Sequence, residues 1–76
     1  MKELIEYIAK SLVDDPSQVK VSEDRRGSSF VLELSVAPED MGRVIGRQGR
    51  TIRAIRTVVK AASVKVGKRV TVEVPD

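Results

Sequence analysis

Seventy-six residues, 41% hydrophobic and 33% charged, describe one small globular domain whose core is close to the minimum size that folds, not a disordered segment. With no cysteine and no histidine, the chain offers no disulfide, no thiol nucleophile, no usual zinc ligand and no imidazole for acid–base work. The net charge is a modest +3, and its placement along the chain says more than its size.

Leu4, Ile5, Ile8 and Leu12 recur at helical spacing over Lys2 to Val13, with Glu3, Glu6 and Lys10 on the other face, so the chain opens on a short amphipathic helix. Asp14-Asp15-Pro16-Ser17 stops it, because proline disfavours helical geometry in the residue before it. Val19 and Val21 alternate with polar residues as a first strand, and Arg25-Arg26-Gly27-Ser28 reads as a turn. Phe30, Leu32, Leu34 and Val36 alternate strictly with Val31, Glu33 and Ser35, which predicts a second strand hairpinned to the first.

Pro38-Glu39-Asp40 opens a helix, with proline in the first turn and acids at the positive end of its dipole; Met41, Val44 and Ile45 face inward before Gly46 ends it. Arg50 to Ala62 carries the strongest helical pattern, with Ile52, Ile55, Val59 and Ala62 as the buried stripe, Ala54 and Val58 beside it, and Arg53, Arg56 and Lys60 on one exposed side. Val66-Gly67 breaks it, and Val70, Val72 and Val74 alternate as a last strand ended by Pro75. The order α-β-β-α-α-β predicts an α+β domain over residues 1–76, a three-stranded sheet with three helices on one face.

Between the two middle helices stand Gly46 and Gly49, bracketing the polar pair Arg47 and Gln48. Glycine lets the backbone approach a partner closely and reach positive φ without steric cost. Amides of such a turn, and of the helix that follows, favour an anion, for which Arg47 and Arg50 supply the charge. From Arg43 to Arg69 there are nine bases and no acid, whereas Met1 to Gly42 holds nine of the eleven acids. That asymmetry suits a polyanion through steering and counterion release; equally, it suits a solvated basic helix face.

Other glycine loops fail on spacing. A dinucleotide fingerprint needs a glycine where Val44 stands and a strand directly before the loop. A P-loop needs Gly-Lys-Ser or Gly-Lys-Thr, which Gly42 does not lead to. A helix-turn-helix survives better, but it explains neither the paired glycines nor strands on both sides of the helix pair.

Val44-Ile45-Gly46-Arg47-Gln48-Gly49-Arg50-Thr51-Ile52 resembles the KH signature Val-Ile-Gly-x-x-Gly-x-x-Ile, and the element order resembles the type II, prokaryotic form of that fold. With Asp15-Pro16-Ser17-Gln18-Val19 and Arg53 to Ala62, nearly the whole length is similar to the bacterial KhpA family of single KH domains. The resemblance implies a mixed three-stranded sheet and single-stranded RNA binding without catalysis, metal or cofactor. KH loops clamp about four nucleotides, and the nucleic acid lies in a groove between the loop-flanking helices and a β-strand. Carried onto this chain, Gly46, Arg47, Gln48 and Gly49 hold the backbone, Ile45 and Ile52 shape the groove floor, and Arg43, Arg50 and Arg53 flank it. Ile45 and Ile52 read equally well as ordinary core, and Arg56 and Lys60 as a solvated or partner-facing side. Many KH loops have lysine where Arg47 stands, a change that keeps charge and alters contact geometry.

The resemblance further implies a homodimer, or a heterodimer with a larger KhpB-type KH protein, and roles as an RNA chaperone in post-transcriptional regulation, cell elongation and division. A protein–protein interaction module with incidental nucleic-acid binding is the competing reading. No apolar run approaches the ~20 residues that span a bilayer, and Met-Lys-Glu opens no secretory signal, so a cytoplasmic, membrane-free protein is expected.

Overall fold

The computed structural model describes residues 1–75 and realises the expected order: helix α1 (Lys2–Leu12), strands β1 (Lys20–Arg26) and β2 (Ser29–Ser35), helices α2 (Met41–Ile45) and α3 (Arg50–Lys65), and strand β3 (Arg69–Glu73). The sheet order is β1-β2-β3, with β1 antiparallel and β3 parallel to the central β2. A parallel neighbour cannot follow through a hairpin; residues 36–68, carrying α2 and α3, make the crossover and bring both helices over the sheet.

Alternation decides which face is covered. Leu32 and Leu34 of β2 are fully buried while Glu33 and Ser35 are exposed, and their cross-strand partners Val72 and Val21 are buried with them. Ile5 and Ala9 from α1, Val44 from α2, and Ile52, Ile55 and Val59 from α3 close the core, which is wholly aliphatic. Each of the valine, leucine and isoleucine side chains contributes about 1.5–3 kcal/mol on burial.

Four local expectations are corrected. Arg25 and Arg26 belong to β1, since Arg26 pairs with Ser29 and only Gly27-Ser28 makes the turn; a two-residue hairpin needs positive φ early in the loop, and Gly27 stands at 63°. The long helix continues to Lys65, and Ser63, not Ala62, completes its buried stripe, its hydroxyl donating to the Lys60 carbonyl at 2.8 Å. Ala54 and Val58, expected beside the stripe, are exposed.

The fourth concerns Asp40. Local position predicts that its carboxylate serves the helix dipole, yet Asp40 ends a separate 3₁₀ turn (Pro38–Asp40) and is only 2% exposed. The Asp14 and Asp15 backbone N–H groups donate to its Oδ1 and Oδ2 at 3.1 Å each, and Arg43 Nε lies 3.4 Å from Oδ1. A buried carboxylate is tolerated when its oxygens are filled by charge-assisted bonds. Here those bonds fasten the exit of α1 to the start of α2, and so set where α2 delivers the glycine turn.

Candidate functional site

α2 ends where Gly46 takes φ 76° and ψ 168°, a region essentially confined to glycine, with its N–H donating to the Gly42 carbonyl at 2.8 Å. A single 3₁₀ turn, Arg47–Gly49, follows and leads directly into α3. Gln48 (φ 55°, ψ 26°) and Gly49 (φ 73°, ψ 16°) are both left-handed, so three of four successive residues have positive φ. Gln48 is the one non-glycine residue of the described chain in that region.

Crowding explains Gly46. A Cβ there would lie 2.6 Å from Thr51 Cβ and 2.8 Å from the Thr51 backbone nitrogen, whereas one at Gly49 would meet open space. The first glycine is therefore required by both packing and φ, and the second by φ alone.

The turn is braced from α3. Arg53 donates through Nη2 to the Gln48 carbonyl at 2.7 Å and through Nε to the Gly49 carbonyl at 3.3 Å. Those two bonds hold the left-handed pair in place, so Arg53 acts on the loop rather than standing free beside it. Gly49 and Arg50 N–H groups are spent inside the turn, on the Gly46 and Arg47 carbonyls. The Arg47 and Gln48 amides donate to no backbone carbonyl outside regular elements among the described residues, and their side chains are exposed. What the loop offers an anion is thus the Arg47-Gln48 tip.

The other expected site residues divide. Arg50 is exposed at the start of α3, next to the tip. Arg43 faces away, paired to Asp14 Oδ2 at 2.9 Å and to Asp40. Ile52 is a core residue, 5% exposed, and Ile45 is half-buried against the same core. Of the nine bases from Arg43 to Arg69, only Arg43 has an ion pair among the described residues.

A groove of about 380 Å³ runs between α3 and the edge strand β3. Val59, Val70 and Val72 are among its apolar lining, and Arg56, Lys60, Lys68 and Arg69 supply its cations. Arg56 Nε donates to the Val72 carbonyl at 3.1 Å, tying the helix to the strand at the end of the groove nearer the glycine turn. In the sequence Arg56 and Lys60 read as a solvated or partner-facing side, and nothing local singles out Lys68 and Arg69. The acid-free stretch does reach Arg69, and that was the available signal. No group of histidine, cysteine or carboxylate residues suited to a metal occurs among the described residues.

Residues 2–74 match the family model described as KhpA/KhpB, KH domain. The protein named RNA-binding protein KhpA in Clostridium acetobutylicum is 65% identical over 97% of this chain and 99% of its own length. Its namesake in Clostridium perfringens is 62% identical over the same shares. That of Borreliella burgdorferi, 47% identical, is matched over 97% of this chain and 90% of its own length.

Proposed function

The chain belongs to the KhpA/KhpB KH-domain family, and we propose that it binds single-stranded RNA, holding the sugar-phosphate backbone at the Gly46–Gly49 turn and laying the strand along the groove between α3 and β3. The observation that carries this reading is the unpaired charge. Arg47 and Arg50 at the turn, and Arg56, Lys60, Lys68 and Arg69 along the groove, face solvent without a carboxylate partner among the described residues, beside an apolar floor on which bases can pack. Holding a strand in this way is the work of a binding module rather than of a catalyst.

Fluorescence anisotropy of a labelled oligoribonucleotide across a salt series tests it. Two or three phosphate contacts on a single strand give a log–log slope of roughly −1.4 to −2.1. Affinity that does not fall with salt would remove the phosphate-clamp reading, and no binding at all would leave the protein–protein module as the function.

Association is the second part of the proposal. Ala54, Val58 and Ala61 form an exposed stripe on α3 at helical spacing, and Val58 is 47% exposed. At 3.6 residues per turn this stripe lies roughly 130° around the helix from Arg53, Arg56 and Lys60. Small side chains let a second helix come close, so a second copy of the chain, or the KH domain of a KhpB-type partner, docks there while the groove stays open. Val58→Glu places a charge in that contact without touching the core. Sedimentation equilibrium should then show a monomer that still binds a short oligonucleotide; an unchanged oligomer would rule this surface out. The chain so read is a cytoplasmic RNA chaperone or post-transcriptional regulator, acting as a dimer or with its partner in cell elongation and division; no helix among the described residues is long and apolar enough to cross a membrane.

A further inference from the structure

Phe30 is one of two aromatic residues in the chain, and it stands where the helices no longer cover the sheet. Its cross-strand partner Arg25 and the nearby Glu23 share the covered face yet are exposed, and the ring itself is only half-buried. Two cations lie over it: Lys68 Nζ at 5.0 Å and Arg25 Cζ at 5.8 Å from the centroid. Neither cation has a carboxylate partner among the described residues. On its other side β2 pairs Phe30 with Val70, which lines the α3–β3 groove, as does Lys68. The ring therefore neighbours the distal end of that groove, beside Val70 and Lys68, without lining it. Val72 is level with Arg56 through their hydrogen bond, and Phe30 is level with Val70, so the ring lies on the order of 15–20 Å from the glycine turn.

We propose that Phe30 is a stacking station for a nucleobase beyond those held by the turn, with Lys68 and Arg25 contacting the adjoining phosphates; this rests on the RNA-binding reading above. The physical case is an exchange of partners. An exposed cation over a ring is a weak contact, and a base stacked on a ring is a stronger one. Lys68, displaced from the ring, keeps its charge next to the incoming phosphate. Arg69, exposed beside it, adds a second cation at the groove's end. The footprint on RNA is then longer than the roughly four nucleotides of the loop alone, and it tolerates any base sequence at this position, since every base has a π-face.

The chain has no tryptophan, so Phe30→Trp introduces a single reporter at the station. Oligouridylates of about 4 and about 10 nucleotides are compared. The longer one quenches the tryptophan emission as it binds, and the shorter one binds without quenching. Phe30→Leu, which keeps apolar packing and loses the ring, weakens the longer oligomer on the order of five- to tenfold and leaves the shorter one unchanged. Binding of both lengths with unaltered emission, together with wild-type affinities in Phe30→Leu, overturns the station and leaves the loop reading standing. Equal quenching by both lengths also overturns it, because the ring then lies within the loop's own footprint. Failure of the wild-type protein to bind either length discards the station and the RNA reading together.

Discussion

Aspartate at both Arg47 and Gln48 removes RNA binding and leaves the fold in place. Both side chains are exposed, and neither takes part in any ion pair or side-chain hydrogen bond among the described residues. The turn's internal bonds run through backbone carbonyls and Arg53, which the substitutions do not touch. Gln48 has φ 55°, and aspartate is among the few residues that enter this region readily, so the backbone keeps its shape. Binding is a different matter. A unit charge about 4 Å from a phosphate in bulk water is worth about 1 kcal/mol, so reversing Arg47 and adding a charge at Gln48 costs about 3 kcal/mol, roughly a hundredfold in affinity. Thermal unfolding and anisotropy on the same sample check both halves. A folded double variant with wild-type affinity would show that the turn does not hold the strand.

The glycine turn was legible because its signal is local: two glycines three residues apart, flanked by two helical patterns, need no knowledge of distant contacts. The roles of its neighbours were not. Arg43 looks like a flanking contact in the sequence, but it answers to Asp14, 29 positions away, and nothing in a linear pattern announces that pairing. Arg53 was half legible: a side chain four residues past Gly49 reaches back one turn by helix geometry, but that it would meet the Gly49 and Gln48 carbonyls depends on the left-handed backbone there. The cationic lining of the groove was least legible of all. Its cations come from both sides of the α3–β3 connection, and only the packing of that helix against an edge strand brings Arg56 and Lys60 opposite Lys68 and Arg69.

The same division holds in the fold. Strict alternation in β2 and the stripe Ile52-Ile55-Val59 gave the elements and their inward faces, since period alone decides them. Ser63 was missed because a hydroxyl on the buried stripe can satisfy itself on its own helix, at Lys60, and so sits where an apolar residue was expected. Asp40 was misread because its partners are backbone amides of residues 14 and 15, which a local reading of helix starts cannot reach. The unpaired stripe of Ala54, Val58 and Ala61 has the opposite origin: apolar at helical spacing, it reads as core until the sheet is seen to lie on the other side of the helix.

Gly46→Ala should be the most damaging single substitution in the turn, and comparison with Gly49→Ala isolates the reason. Both glycines have positive φ, so either alanine bears backbone strain, about 1–2 kcal/mol in the left-handed region of Gly49 and at least that much at Gly46, whose ψ of 168° lies outside it. At Gly49 nothing further happens, since the new methyl enters open space. At Gly46 it meets Thr51, including the backbone nitrogen of the first turn of α3, which no rotamer change can move aside. Overpacking of that kind adds about 1–3 kcal/mol, for a total near 3 kcal/mol at Gly46. A chain of this length has about 4–11 kcal/mol of total stability to draw on, and each kcal/mol shifts the midpoint by about 4–8 °C. The expected fall in Tm is therefore roughly 12–24 °C for Gly46→Ala and about half of that for Gly49→Ala. The two variants also separate fold from function. Relief of the clash must push α2 and α3 apart or shift the turn, which displaces the Arg47-Gln48 tip, so RNA affinity should fall with stability in Gly46→Ala. In Gly49→Ala any loss of affinity should stay within the range set by backbone strain. Equal midpoints for the two alanine variants would mean that contact with Thr51 does not constrain the turn, and that positive φ alone accounts for both glycines.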